Sequence, residues 1–452
     1  MKLKVYKLYH SIGLLSLRQK ILLIFIVALI IRGVLFINNY NRFPGDGFAY
    51  NNIAVNLIKG NGYSSLTSEP YPYTVFREPA YPIFLASVYG ISNIFYKVDY
   101  IRNYDQEKLT FNDSHPEILF AKIIQVLLSS LSIVILFLII KRFIKENIAF
   151  LITILIGIYI PYAYWSITIM RDCLMNFFLF LTIFSFVLQL QSGFRTKYII
   201  LTALLIGVTI LNLQANLVLL PFYVVFTFLS TKSIKKSIYL GLLTIAIALL
   251  STIPWTLFVY QKYPDIRIFK TFGSSFTQEM RLYDDYVYCA FDNGLITEKQ
   301  SLSLIDWGEL SKIQFDRSFK GIYKTRSDSI SKVIISKTKD NNFFSKYIRK
   351  TYIHNIELTL GLTYNEKFNI NKGMKALLKI VGILGLILFF RKTYPMAFIM
   401  ISYLAFCWLI GDDQRRILII DVFFIVYSFL LVFYLFKSFK YKRFLSLSSV
   451  LT

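Results

Sequence analysis

The chain has 452 residues, of which 56% are hydrophobic and only 17% are charged. This balance is too apolar for a soluble fold of that length, and the apolar residues cluster in runs near the ~20 residues that cross a bilayer. The formal charge of +24 lies in short clusters between those runs, which is typical of cytoplasmic flanks and argues against a nucleic-acid partner. The sequence therefore predicts an all-α polytopic membrane protein.

Ten apolar runs predict about ten transmembrane helices. They cover residues 20–38, 118–140, 147–165, 172–190, 199–215, 217–231, 237–258, 374–390, 394–410 and 417–436. The runs 199–215 and 217–231 are also compatible with one long span. Asn212, Gln214 and Asn216 lie between them and favour a turn near the interface, so we predict two spans.

Basic clusters predict the orientation of these spans. They include Lys2, Lys4 and Lys7 before the first span, Lys141 and Arg142 after the second, Arg391 and Lys392 after the eighth, and Lys440, Lys442 and Arg443 after the last. Ten spans with both termini in the cytoplasm place every cluster on one side. We therefore expect a multi-pass protein of a bacterial-type cytoplasmic membrane, in contact with membrane lipids.

Two long loops then lie on the extracytoplasmic face. The first, 39–117, belongs to a membrane module over residues 1–258, and the second, 259–373, is polar and long enough for a small helical subdomain. Residues 374–452 supply the last transmembrane helices and a basic cytoplasmic tail.

The segment 43–50, Phe-Pro-Gly-Asp-Gly-Phe-Ala-Tyr, places Asp46 where the first span should reach the membrane surface. Apolar residues then recur every three or four positions up to Gly60, which predicts a short amphipathic juxtamembrane helix. Asp46 would cap this helix, and a capping carboxylate at a membrane face can also serve as a general base.

A second juxtamembrane helix is predicted to start in the segment Arg77-Glu78-Pro79-Ala80-Tyr81-Pro82. The guanidinium of Arg77 would suit a phosphate, because its planar fork pairs with two oxygens at once. The alternative is a structural arginine that pairs with Glu78 or with lipid headgroups.

Two further charged motifs lie at predicted outward turns. Asp172 opens the fourth span, where a carboxylate needs a partner or water, and neighbouring Arg171 would supply a local ion pair. The segment 411–416, Gly-Asp-Asp-Gln-Arg-Arg, follows the ninth span. Arg415 or Arg416 would stabilise a departing phosphate there, or the segment would close the bundle through its own ion pairs.

The cysteines and histidines do not indicate a metal site. Three residues of each kind are scattered along the chain without ligand-like spacing. The residues leave open a divalent metal held by Asp46, Asp172 and one histidine, but this pattern does not support it, and no cofactor is certain.

The pattern D-x3-Y-x3-A-x2-L-x2-G, followed by R-x-P-x-Y-P-x-x-L-A, resembles the first extracytoplasmic loop of GT-C glycosyltransferases. Within that superfamily it is most similar to the bacterial branch related to protein O-mannosyltransferases and the lipid A aminoarabinose transferase. The residues that carry it are Asp46, Tyr50, Ala54, Leu57, Gly60, Arg77, Pro79, Tyr81, Pro82, Leu85 and Ala86. The likeness is strong over 40–90, moderate to about 260 and near 411–420, and weak in the second loop.

This resemblance implies an inverting transfer of a sugar from a polyprenyl-phosphate donor to a lipid, glycan or protein acceptor. It implies Asp46 as the general base and Asp172 as a second acidic group that faces the substrate. The implied donor-phosphate and substrate contacts are Arg77, Arg415, Arg416, Tyr50 and Tyr81. Many relatives carry a second acid directly after the first, where this chain has Gly47, and that difference weakens the case for a metal.

Two other functions remain open from the residues alone. A transporter or flippase would place ionisable residues near mid-membrane and often shows repeated halves, whereas here the candidate charges gather at one face. A glycan polymerase would share lipid-linked substrates and use a large late loop, which 259–373 would provide. The sequence favours the glycosyltransferase.

Overall fold

The computed structural model describes residues 12–69, 71, 73–74, 77–105, 108, 110–111, 115–262, 286–291, 293–297, 319–350, 372–410 and 414–440. Within these ranges, the side chains of 319–326, 372–376 and 405–419, and a few others, lie outside the description. The described part is almost wholly helical. Its two-stranded antiparallel hairpin joins β1 (Tyr104–Asp105) to β2 (Thr110–Phe111) in the first loop.

The helices follow the predicted runs closely. In chain order they are α1 Leu17–Asn38, α2 Gly45–Lys59, α3 Ala80–Ser92, α4 Pro116–Ile140, α5 Glu146–Gly157, α6 Ile160–Tyr164, α7 Asp172–Gln191, α8 Thr196–Asn212, α9 Leu219–Thr231, α10 Ile234–Lys262, α11 Phe319–Thr338, α12 Lys372–Ile410 and α13 Gln414–Lys440. Short 3₁₀ helices cover Trp165–Ile167 and Gln214–Val218.

Five helical segments in the described ranges are long and apolar enough to cross a membrane. They are α1, α4, α7, Gln214–Thr231 and α10. The predicted span 147–165 is broken instead, because α5 and the segment Ile160–Ile167 meet at an angle of 59°. The protein is therefore an all-α polytopic membrane protein, as predicted, and the total of ten spans stays a prediction.

The predicted turn between the fifth and sixth spans is present. Helix α8 ends at Asn212, and the 3₁₀ helix Gln214–Val218 leads into α9. Asn216 is fully buried in this turn, where its side-chain amide donates to the carbonyl of Thr209 at 2.7 Å. These polar groups satisfy the backbone where the two helices separate.

The predicted break between the eighth and ninth spans is absent, because α12 is hydrogen-bonded as one helix through Arg391 and Pro395. Three contacts trace its path: Lys379 with Asp421, Tyr394 with Ser230, and Tyr403 with Asn216. Pro395 lies inside this helix, where a proline permits a bend.

A separate hydrophobic core fixes the first loop onto the bundle. Its fully buried members include Phe43, Tyr50, Tyr81, Tyr89, Ile118 and Ile169. They come from α2, α3, the start of α4 and the turn before α7, so burial of these aromatic rings holds all four segments together. The charged residues of the first loop are thus positioned by a packed hydrophobic core.

The second loop is described only in part. Helical residues 286–291 and 343–350 pack with α11 around a small core that contains Val287, Ile330 and Ile334. This local core agrees with a helical subdomain in 259–373. The domain boundaries stay a prediction.

Candidate active site

Asp46 lies in the first turn of α2, just after the segment that leaves the first span. The N-cap residue of α2 is Pro44, so the prediction that Asp46 caps this helix is wrong. A carboxylate in the first turn is still favoured by the positive end of the helix dipole. Its side chain is 47% exposed, which leaves the carboxylate open to an incoming group.

Arg77 lies next to this carboxylate in the structure, although it follows Asp46 by 31 residues in the sequence, at the start of the second motif of the loop. Its Nη2 lies 3.4 Å from Oδ1 of Asp46, and its guanidinium carbon lies 5.0 Å from the centroid of the Tyr50 ring. The structure therefore brings the two main predicted residues together. The predicted alternative partner, Glu78, binds elsewhere.

The backbone at Arg77 is held from the transmembrane bundle. The hydroxyl of Tyr63 donates to the carbonyl of Arg77 at 3.0 Å. The Tyr63 ring packs on Trp255 of α10, with ring centroids 5.0 Å apart. Trp255 is 8% exposed, so this buried ring packs against the first loop from α10.

Glu78 forms an ion pair with Arg171, the residue that precedes α7. Oε2 of Glu78 accepts from Nη1 of Arg171 at 2.6 Å, and Oε1 accepts from the backbone N–H of Gln214 at 3.2 Å. The two side chains are only 16% and 15% exposed. This pair joins the first loop, the turn before α7 and the turn between α8 and α9. Sequence reasoning missed it, because it paired each residue with its neighbour in the chain.

Asp172 lies in the first turn of α7 and is 5% exposed. Arg171, its predicted partner, forms the ion pair with Glu78 just described. The charge of Asp172 acts on Tyr50, as do the charges of Arg77, Glu78 and Arg171. Asp172 therefore belongs to the same electrostatic neighbourhood as Arg77, and a catalytic role stays a prediction.

Tyr50 and Tyr81 lie below these charges, with their ring centroids 5.0 Å apart in an edge-to-face contact. Both are fully buried, and Tyr81 donates its hydroxyl hydrogen to Oε1 of Gln125 at 2.6 Å. Burial raises the pKa of both phenols, so they stay neutral near pH 7. Direct contact with substrate stays a prediction for both, since their observed contacts are internal.

Gly47 explains why a second acid does not follow Asp46. A Cβ at this position would lie 3.0 Å from the carbonyl oxygen of Ile169 and 3.0 Å from the ring of Phe43. The turn before α7 therefore approaches α2 so closely that a side chain here would require its neighbours to shift. A carboxylate at position 47 would require both segments to separate.

The sequence also predicts two arginines at the donor phosphate. Arg415 and Arg416 belong to the first turn of α13, and their side chains lie outside the described residues, as do residues 411–413. A role at the donor phosphate stays a prediction for both.

No metal centre is assembled in the described ranges, where no group of three or more His, Cys, Asp or Glu side chains could hold an ion. Asp46 and Asp172 lack a third ligand, and His115 instead contacts Glu117, with Nδ1 and Oε1 3.0 Å apart. His10 and His354 lie outside the described residues.

Comparisons with known proteins agree with this fold. Residues 113–257 match the family model described as dolichyl-phosphate-mannose-protein mannosyltransferase. No curated protein matches the chain at a significant level.

The solved structures that match include the oligosaccharyltransferase AglB from Archaeoglobus fulgidus. One, in complex with an inhibitory peptide and a dolichol-phosphate, is 14% identical and has a TM-score of 0.50 over 94% of this chain and 52% of that one. Another, tethered to an acceptor peptide containing the NVT sequon, is 14% identical with a TM-score of 0.52 over 94% and 50%. The chain thus spans about half the length of AglB.

ArnT from Cupriavidus metallidurans, bound to undecaprenyl phosphate, is 13% identical over 92% of this chain and 76% of that one. Its TM-score of 0.43 is too low to support an argument by itself. The family-model match over residues 113–257 and the fold shared with AglB agree with the resemblance of the first loop to GT-C glycosyltransferases.

Proposed function

We propose that this protein is a glycosyltransferase that moves a sugar from a polyprenyl-phosphate donor to a hydroxyl of a lipid, glycan or protein acceptor. The observation that carries the proposal is the exposed carboxylate of Asp46, 3.4 Å from the guanidinium of Arg77, at the point where the first span leaves the bundle. The GT-C fold supports it, since a matching AglB structure contains a dolichol-phosphate.

In the proposed reaction Asp46 acts as the general base. Its carboxylate takes the proton of the acceptor hydroxyl while that oxygen attacks the anomeric carbon of the donor sugar. The bond between the anomeric carbon and the phosphate oxygen breaks, and its electron pair leaves with the polyprenyl phosphate. Attack opposite the leaving group inverts the anomeric centre. A phosphate leaves already ionised, so no general acid is required.

Arg77 has two roles in this proposal. It holds the carboxylate of Asp46 in place before the donor arrives, and its guanidinium then offers a positive charge to the departing phosphate. Its position is fixed at both ends, because Tyr63 holds its carbonyl and the Tyr50 ring lies under its charge. A fixed cation costs little reorganisation when the phosphate develops its charge.

The site is proposed to face the extracytoplasmic side of a bacterial-type cytoplasmic membrane, with both termini in the cytoplasm. The basic clusters of the sequence support this orientation. A polyprenyl donor would then keep its tail in the bilayer and present its sugar phosphate beside α2 and α3.

The test uses purified protein in vesicles, a panel of polyprenyl-phosphate sugars and an envelope extract as the source of acceptors. We expect release of polyprenyl phosphate that depends on the extract. Asp46→Asn should lower its rate by about 10²–10⁴-fold, which is the usual contribution of a general base. Asp99→Asn is the matched control, because Asp99 also pairs with a cation of the first loop, Lys59.

Donor binding is measured in parallel for both variants. No release with any donor, or full activity of Asp46→Asn, would contradict the proposal.

A further inference from the structure

Arg42 is a cation that the proposed reaction has not used. It lies in the short connection between α1 and α2, is half-buried, and its guanidinium carbon lies 5.3 Å from the centroid of the Tyr164 ring. Three other arginines, Arg77, Arg102 and Arg171, each form an ion pair with a carboxylate. In the described part of the chain, no carboxylate lies within 4.0 Å of the Arg42 guanidinium.

The backbone of Arg42 is held firmly from two sides. Its N–H donates to the carbonyl of Asn39 at 3.1 Å, and its own carbonyl accepts from Nζ of buried Lys122 at 2.7 Å. An antiparallel bridge to Thr110 adds the hairpin of the first loop. The side chain therefore starts from a fixed point, and its guanidinium lies close to an aromatic ring.

The location of Arg42 links it to the candidate site. The segment that runs from Arg42 to Gly47 lies along the outward turn that precedes α7. Contact is made at both ends, by Arg42 with the Tyr164 ring and by Gly47 with the carbonyl of Ile169. Asp46 lies within this segment, so Arg42 and Asp46 border the same turn.

A guanidinium in this state is prepared for an anion. Partial burial with no carboxylate partner among the described residues is unfavourable for the charge, and an incoming anion would remove that penalty. The contact with the Tyr164 ring uses none of the guanidinium N–H groups as a carboxylate would, and the planar fork can form two parallel hydrogen bonds. Phosphate oxygens have the geometry that this fork recognises.

We infer that Arg42 binds the phosphate of a lipid-linked substrate beside Asp46. The inference rests on the proposed function. It adds a phosphate contact that precedes Asp46 in the sequence, whereas Arg77 follows Asp46. At a membrane surface the same chemistry is offered by a polyprenyl phosphate and by a phospholipid headgroup. Of these two, we assign the polyprenyl phosphate as the ligand of Arg42.

The experiment measures binding of undecaprenyl phosphate to the full chain in phosphatidylcholine nanodiscs. We expect Arg42→Gln to weaken binding by about 10–100-fold, as for the loss of a hydrogen-bonded charge. Arg42→Lys should fall between this variant and the unaltered protein, since an ammonium keeps the charge without the fork. Arg102→Gln is the control, because Arg102 lies in the same loop, is highly exposed and pairs with Asp99.

A second arm repeats the measurement with phosphatidylglycerol as the probe. Selective loss of undecaprenyl phosphate binding supports the inference. Equal loss of both lipids would overturn it in favour of a headgroup site, and unchanged binding by Arg42→Gln would overturn it while leaving the proposed function intact. Failure of the unaltered protein to bind undecaprenyl phosphate would overturn both. If Arg42→Gln unfolds, judged by thermal unfolding without lipid, Arg42→Lys decides.

Discussion

The ion pair between Glu78 and Arg171 is the firmest single contact of the candidate site. Its partners are 93 residues apart in the chain, lie 2.6 Å apart and are largely removed from solvent. Removing one partner of such a pair leaves the other as a poorly solvated charge. The pair therefore matters for the stability of the loop that carries Asp46 and Arg77.

We expect Glu78→Gln to lower the free energy of unfolding by about 2–3 kcal/mol, since Arg171 loses its charged partner. Thermal unfolding of the purified protein in detergent measures the change. Lys59→Gln is the control, because the pair of Lys59 with Asp99 is about one third exposed and should contribute less than about 1 kcal/mol. Equal losses in the two variants would contradict the assigned role.

At this scale the sequence predicted some residues and missed others for a physical reason. Asp46 and Arg77 could be found because each lies in a motif with its own chemical meaning. Glu78 and Arg171 were each expected to pair with an adjacent residue. Their true pairing depends on how the first loop packs on the turn before α7. The residues adjacent to each of them in the sequence do not indicate that contact.

At the scale of elements, the position of α2 depends on its close approach to the turn before α7. Gly47 permits this approach, because any Cβ there would meet the Ile169 carbonyl and the Phe43 ring at 3.0 Å. Gly45 lies two residues earlier in the same helical turn and has open space within 4 Å. The two glycines therefore form a natural matched pair.

Gly47→Ala should separate α2 from the turn and lower both transfer activity and thermal stability, by about 1–3 kcal/mol for an overpacked contact. Gly45→Ala should leave both near the values of the unaltered protein. Activity per folded molecule and the unfolding temperature are measured for each variant. Tolerance of Gly47→Ala would show that the close approach is not needed.

Hydropathy predicted most helices but could not predict how two of them continue. The span 147–165 breaks shortly before Pro161, which suits the first turn of the new helix. Conversely, α12 continues through Arg391 and Lys392, although two charges suggested a loop. Long basic side chains can extend to a membrane surface while the helix remains intact.

At the scale of the whole molecule, the arrangement of helices places the first loop, the turn before α7 and the turn between α8 and α9 at one face of the bundle. Glu78 contacts both of these turns, which establishes that they share that face. The resemblance in the first loop predicted the superfamily. The side chains of Arg415 and Arg416 lie outside the described residues, so how the last helix meets this face stays a prediction.

The orientation of that face decides whether a lipid-linked donor and an external acceptor can meet at Asp46. The direct measurement is side-selective labelling of Asp46→Cys in a chain whose Cys173, Cys289 and Cys407 are replaced by serine. Arg195→Cys in the same background is the control, because exposed Arg195 precedes α8 at the opposite, predicted cytoplasmic end. A membrane-impermeant maleimide should label position 46 in intact cells and position 195 only after permeabilisation. Protection of position 46 until the membrane is permeabilised would contradict the account.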